Sequence, residues 1–363
     1  MKVIFIVPYP LNCAPSQRLK FEQYLPYLKS KGISYAFRPF MSEAFYRIVY
    51  KRGRYIRKII YTLCGYVKRI FDLVGIINYD IVYIHLEATP LGPPVFEYLV
   101  KFLNKPITYD IDDIVFLPNY SPANRFLRYI DNPKKTLDIF KISNHIIVVT
   151  NYLKTCALKY NKNVTMFPPT IDTDKYYVKQ DYHKNSQLCI GWSGSRTTSA
   201  YLKLLESVLK IISKKYPVKI KVIGDADFKI EGLSNLCSQE WRLQSEVEDM
   251  QEIDIGLYPL PNTEWVLGKG GLKALQYMGL GIPVVCSDVG ACKEFIRNNV
   301  NGFLVDSPEE WIDKISLLIE SADLRKRIGL AGRKTVEDGF SVKANAPKFL
   351  KIIESANNKR GSC

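Results

Sequence analysis

Apolar runs of strand length alternate with amphipathic stretches along most of the chain. Residues Val3-Ile4-Phe5-Ile6-Val7 are all apolar, the pattern of a strand buried on both faces of a parallel sheet. A helix is expected over 17–30, ending at Lys31-Gly32, and a second strand over 33–37, which together make a βαβ opening. Strands are expected again at 79–86, 105–113, 144–150 and 164–167, with a loop and a helix over 90–103 and a helix at 151–160. After the turn Pro168-Pro169-Thr170-Ile171-Asp172 come about fifteen polar residues that read as a linker, with a domain boundary near 175–187. The alternation then restarts. Strands are expected at 188–192, 218–223, 253–257, 284–286 and 302–305, and helices at 199–214, 246–251, 272–280, 308–320, 322–337 and 342–356. The pattern predicts a two-domain α/β protein, with domains over 1–175 and 185–344 and no short repeat or low-complexity segment.

A length of 363 residues agrees with two cores. No apolar run approaches the roughly 18 residues of a membrane span, and Met1-Lys2, five apolar residues and then Pro8 do not make a signal peptide, so a cytoplasmic protein is expected. The eight cysteines are scattered without paired spacing and the three histidines are ungrouped, so neither a disulfide framework nor a metal centre is expected. The formal net charge of +15 implies an anionic partner. Eight basic residues and no acidic one lie between Arg47 and Arg69, interleaved with aromatic and aliphatic residues. That composition suits an anionic membrane surface, with Lys51, Arg52, Arg54, Arg57 and Lys58 as contacts; the alternative is a solvated helical face over the core. No nucleic-acid motif accompanies the charge, so nucleic acid is not expected as a partner.

The candidate chemistry centres on Gly268-Lys269-Gly270-Gly271, a glycine-rich turn that opens a helix. Helix N termini present unpaired N–H groups and partial positive charge, so this turn suits a phosphate, with Lys269 and Lys273 adding full charges. An ordinary loop–helix–strand crossover is the alternative. The first βα loop lacks G-x-G-x-x-G, which argues against dinucleotide binding there. Asp110, Asp112 and Asp113 follow an apolar strand, where α/β sheets place ligands; solvated loop carboxylates or helix caps are the alternative. Arg18 reads either as an anion ligand at a helix start or as a solvated surface arginine.

The order and spacing of these segments, together with VPYPLNCAPSQR, IGWSGSRTTSAYL, DIGLYPL and GIPVVCSDVGACKEFIRNNVNGFLV, resemble the retaining GT-B glycosyltransferases of the "group 1" type, family 4. The resemblance covers nearly the whole chain. It implies two Rossmann-like domains with parallel sheets facing across a cleft, the acceptor mainly on the first and the donor on the second. It also implies a C-terminal helix, 345–363, crossing back to the first domain. It implies a nucleotide-diphosphate sugar as co-substrate, no metal or other cofactor, and a glycan or lipid-linked acceptor in surface polysaccharide, glycolipid or lipid-linked glycan synthesis. The family places two glutamates eight positions apart around the glycine loop; here those positions are Gly268 and Gln276. Gln276 retains hydrogen-bonding capacity for a ribose, and Gly268 cannot replace a carboxylate. Gly194, Arg196, Lys269, Gly270, Gly271, Lys273, Gln276 and Glu294 are the implied donor-binding positions, and Arg18 and Asp113 the acceptor-binding ones. Asp112 stands where the family often has a histidine. With Asp110 and Lys269 it makes up the expected catalytic set, the carboxylates orienting the acceptor hydroxyl and Lys269 steadying the leaving diphosphate. Two other readings are a metal-dependent transferase using Asp110-Ile111-Asp112 as a D-x-D motif, and a catalytically silent GT-B module acting as a membrane-associated interaction protein.

Overall fold

A computed structural model describes residues 1–51, 53–117, 132, 134–183 and 187–358. The chain divides into two compact units, one of residues 1–169 with 346 onward and the other of residues 170–345.

The first unit contains β1 (Lys2–Val7), α1 (Pro15–Arg18), α2 (Leu25–Ser30), β2 (Ser34–Pro39), α3 (Glu43–Val49) and α4 (Tyr55–Ile76). It continues with β3 (Ile81–His85), α5 (Val95–Phe102), β4 (Ile107–Asp110), α6 (Lys135–Ile142), β5 (His145–Val148), α7 (Asn151–Leu158) and β6 (Val164–Met166). Its six strands are parallel in the order β2-β1-β3-β4-β5-β6. The apolar strands are buried throughout β3, β4 and β5, and from Val3 onward in β1. The expected helix over 17–30 is broken. Pro26 has no N–H to bond back into the preceding turn, so a 3₁₀ turn at Glu22–Tyr24 and α2 replace a continuous helix.

The second unit contains β7 (Cys189–Ser193), α8 (Glu206–Lys215), β8 (Lys219–Ile223), β9 (Leu236–Gln239), α9 (Glu246–Gln251), β10 (Ile255–Tyr258) and α10 (Glu264–Leu267). It continues with α11 (Leu272–Gly279), β11 (Val284–Ser287), α12 (Cys292–Phe295), β12 (Phe303–Val305), α13 (Pro308–Glu320) and α14 (Ala322–Thr335), and α15 (Val342–Asn358) starts in it. Its strands are parallel in the order β12-β11-β10-β7-β8-β9. From Ala346, α15 belongs to the first unit, where Phe349 stacks on Tyr24 with ring centroids 4.9 Å apart. Strand β9 lacks the apolar run that marked the others and was not expected.

The segment expected to be a linker is packed into the second unit. Tyr176 and Tyr182 are buried, and Lys179 Nζ pairs with Asp254 at 2.5 Å and donates to the Ile253 carbonyl at 2.8 Å. Its polar residues made it look solvated; their partners lie some 75 positions downstream.

Candidate functional site

Open parallel sheets bind ligands where the strand order reverses. In the second unit that point lies between β7 and β10. The chain leaves β7 at Ser193-Gly194, and the Gly194 N–H donates to the Ile223 carbonyl at 2.9 Å. Gly224, with φ +111°, closes the β8 turn against it: a Cβ at Gly224 would overlap the Gly194 carbonyl. A side chain at Gly194 would run into Trp192 and into Lys273 Cε at 2.5 Å. The Lys273 ammonium lies 5.6 Å from the Trp192 ring and 5.7 Å from the Tyr258 ring. Gly194, Trp192, Tyr258 and Lys273 therefore meet at the switch point, on β7, β10 and the first turn of α11.

Helix α11 is held rigidly there. Tyr277 is fully buried and its hydroxyl accepts from the Ser193 N–H at 2.7 Å. Burial pushes that phenol up beyond any working pH, so it stays neutral. Gly256 leaves room for the Tyr277 ring. No side chain caps the α11 N terminus, and its N-cap, Gly271, has φ +71°. A Cβ at Gly271 would come 2.7 Å from the Phe295 ring, so α12 packs directly on this turn. Lys269 is half-buried with its ammonium 5.6 Å from the Trp265 ring. Glu294, on α12, is exposed.

Two expected donor ligands are otherwise engaged. Gln276 is buried, and its amide N–H₂ donates to the Tyr176 hydroxyl at 2.9 Å and to Glu246 Oε1 at 3.3 Å. Its amide therefore braces α11 against α9 instead of waiting open for a ribose. Arg196 is 73% exposed and pairs with Asp227 and, at 3.8 Å, with Asp225. Such an exposed pair contributes little to stability.

In the first unit the order reverses between β1 and β3, not at β4. Asp110 is fully buried at the end of β4. It pairs with Lys20 and, in register across the sheet, with His85 Nδ1 at 2.8 Å. Burial alone would push the Asp110 carboxyl up; Lys20 and His85 outweigh it and hold the group below the ordinary carboxylate range. The expectation that Asp110 meets an acceptor is therefore corrected: its charge is consumed internally. A metal bound by Asp110-Ile111-Asp112 as a D-x-D motif would have to displace the Lys20 ammonium from Asp110. Among the described residues no group of three or more His, Cys, Asp or Glu is placed to hold a metal ion. Lys20 also donates to the Ile111 carbonyl at 2.9 Å, fixing the turn that carries Asp112. Asp112 remains half-buried and open to solvent. Asp113 Oδ1 accepts from the Ile114 N–H at 3.0 Å, a local turn cap. Arg18 is buried, so the solvated reading of it is corrected.

At the β1/β3 reversal itself stand Tyr9, Tyr46 and Tyr50. Tyr9 and Tyr46 are 5.6 Å apart by ring centroids, and the Tyr9 and Tyr50 hydroxyls 3.1 Å. Glu87, just past β3, is held by Lys135 at 2.8 Å. Sequence reasoning missed Lys20, His85, Trp192 and Tyr258. The one local signal for the last two was an aromatic at the end of each switch-point strand. Of the membrane candidates, Lys51, Arg54 and Arg57 are exposed, Lys58 is half-buried over Tyr55, and Arg52 lies outside the described residues.

Residues 187–321 match the family model described as glycosyl transferases group 1. The chain is 25% identical over 226 residues to the capsular polysaccharide biosynthesis glycosyltransferase CapM of Staphylococcus aureus, covering 56% of this chain and 58% of that one. The aligned part thus spans less than two thirds of that relative. Among solved structures, a glycosyltransferase from Rickettsia africae ESF-5 superposes with a TM-score of 0.70 at 16% identity, covering 99% of both chains. HepE from Anabaena, in complex with UDP and glucose, gives 0.66 at 14% identity, covering 98% of this chain and 100% of that one. At these identities the structural likeness establishes the fold. Residues 187–321 thus carry a group 1 glycosyltransferase domain, and the chain as a whole has the GT-B fold of its structural neighbours.

Proposed function

We propose that this protein transfers a sugar from a nucleotide-diphosphate sugar to an acceptor hydroxyl with retention of anomeric configuration. The observation that carries the reading is Lys273. Its ammonium stands over Trp192 and Tyr258 at the switch point, beside the Gly194 turn and on the first turn of a helix with no side-chain cap. A diphosphate placed there meets the Gly270 and Gly271 amides, Lys269, Lys273 and, once it leaves Asp227, Arg196. These charges stabilise the nucleoside diphosphate as the sugar–phosphate bond breaks. The acceptor hydroxyl then attacks the oxocarbenium-like sugar on the face the diphosphate leaves, and its proton passes to the departing diphosphate oxygen as the glycosidic bond forms. Asp112 orients the acceptor hydroxyl, and Asp110 supports it from behind through Lys20 and Ile111. The tyrosines at the first unit's strand-order reversal suit a glycan, whose apolar ring faces pack on aromatic rings.

CapM is named for capsular polysaccharide synthesis, which favours a surface glycan or a lipid-linked acceptor here. HepE binds UDP and glucose, which favours a uridine nucleotide as the first to try. The reaction runs without metal in this reading, so a chelator leaves turnover unchanged. The basic segment 47–69 suggests a cytoplasmic protein peripheral on the inner face of a membrane.

A thermal-shift panel of nucleoside diphosphates and nucleotide sugars tests the site directly. A bound ligand at 100 times its Kd stabilises the fold by about 2.7 kcal/mol. Lys273→Ala should weaken the responding nucleotide roughly tenfold or more, the worth of one charge-assisted phosphate contact. A panel with no response, or a Lys273→Ala protein with unchanged affinity and turnover, would sink the assignment.

A further inference from the structure

Helix α4 is amphipathic in the inverse sense. Its inward face carries Gly65, Arg69, Asp72 and Ile76, all buried. Arg69 donates to the Val7 carbonyl at 2.9 Å and the Ala88 carbonyl at 2.7 Å, and pairs with Asp72 at 2.8 Å. Gly65 lets the Phe40 ring lie against the helix. The polar side is thus locked onto the ends of the sheet. At about 100° per residue, Ile56, Ile60, Leu63, Val67, Phe71 and Val74 fall on the opposite side. Each is at least half exposed, from 51% at Ile60 to 76% at Ile56. Phe102, on α5, is 80% exposed. A long outward stripe of large apolar residues is not a solvated face.

The charges beside the stripe are all of one sign. Arg54, Arg57 and Lys68 are exposed, no acidic residue occurs from 44 to 71, and Asp72 is buried. Arg57 and Lys68 are eleven residues apart, about three turns, and share one shoulder of the stripe. A second copy meeting this face by two-fold symmetry would bring the same patch against itself and offer the helix's cations no carboxylate. An anionic lipid surface offers both the apolar interior and the opposite charge. No described helix is long and apolar enough to cross a membrane.

We infer that α4 lies in the plane of an anionic bilayer and inserts its Ile56-to-Val74 stripe below the headgroups, with Arg57 and Lys68 at headgroup level. The inference rests on the peripheral-membrane part of the reading above and is independent of the sugar transfer. It replaces contact through the basic cluster alone by insertion of apolar side chains, about 5–10 Å deep for helices of this kind.

The test uses the full chain with phosphatidylcholine vesicles, with and without about 30% phosphatidylglycerol. All four tryptophans, at 192, 241, 265 and 311, lie in the second unit, so Phe71→Trp places a reporter alone in the first. Expected are co-flotation with the anionic vesicles, a blue shift of the new emission, and quenching by lipids brominated along the acyl chain. The double variant Leu63→Asp/Phe71→Asp should partition roughly tenfold more weakly at unchanged circular dichroism, since charge at this depth is costly. Binding that disappears at about 0.5 M salt, with the reporter indole unquenched, would leave a purely electrostatic contact and overturn insertion. No binding to either vesicle overturns both, whatever the nucleotide panel shows. A dimer in solution that the aspartates convert to monomer would assign the face to a second copy instead.

Discussion

Lys20 occupies the break between α1 and α2, where the chain turns it inward under the end of β4. Its partner Asp110 is 90 positions away, and the pair is fully enclosed with His85. Removing one member of a buried ion pair leaves the other uncompensated, at a cost of about 3–5 kcal/mol. Asp110→Asn should lower the stability of the first unit by that order, and Lys20→Met with Asp110→Leu should restore much of it. The loss depends on pH with a definite sign. Asp110 is depressed when folded, so its contribution is complete above the unfolded carboxylate value of about 3.9 and vanishes as pH falls through the lower folded value. Melting curves of wild type and Asp110→Asn should therefore converge on acidification below about pH 4; a constant gap would show that the Lys20 pairing is not its source. None of this was legible locally. A run of three aspartates after an apolar strand announces a strand end, but which of them faces Lys20 depends on where a distant helix breaks.

Among the elements, α11 was read best. Its start at Leu272, its stop before Gly281 and the strand beyond follow from glycine and proline positions, which act through local backbone geometry. Its role at Gly271 also has a sharp consequence. Gly271→Ala forces a Cβ into left-handed backbone and against Phe295. The expected cost is about 1–3 kcal/mol, with weaker nucleoside diphosphate binding because the first helical turn shifts; isothermal titration on the folded variant measures the latter. Unchanged binding would remove the α11 N terminus from the site. The helix α4 was read least well. Its basic residues were evident, but sequence alone does not say which stripe of an amphipathic helix turns inward. Here Arg69 takes the core while Ile56, Ile59, Ile60 and Ile70 take the outside, the reverse of the usual arrangement.

At the scale of the whole molecule, each of the two parallel six-stranded sheets has its own reversal of strand order, the place where open parallel sheets bind ligands. A nucleoside diphosphate should slow amide hydrogen exchange at 193–199, 258–260 and 269–276, and leave the core strands of the first unit unchanged. Protection centred on β1 to β5 would place the donor in the wrong unit. The amino-acid sequence by itself determined the succession of buried strands and crossover helices, because apolar periodicity and turn residues act over a few positions. It also placed the glycine turn at a helix start. Only the tertiary structure decided that Lys273 joins Trp192 and Tyr258, that Asp110 is closed off while Asp112 stays open, and that Gln276 turns into the core. Each of those outcomes depends on partners tens of positions apart, whose meeting is set by strand order and packing, quantities that no local stretch of chain contains.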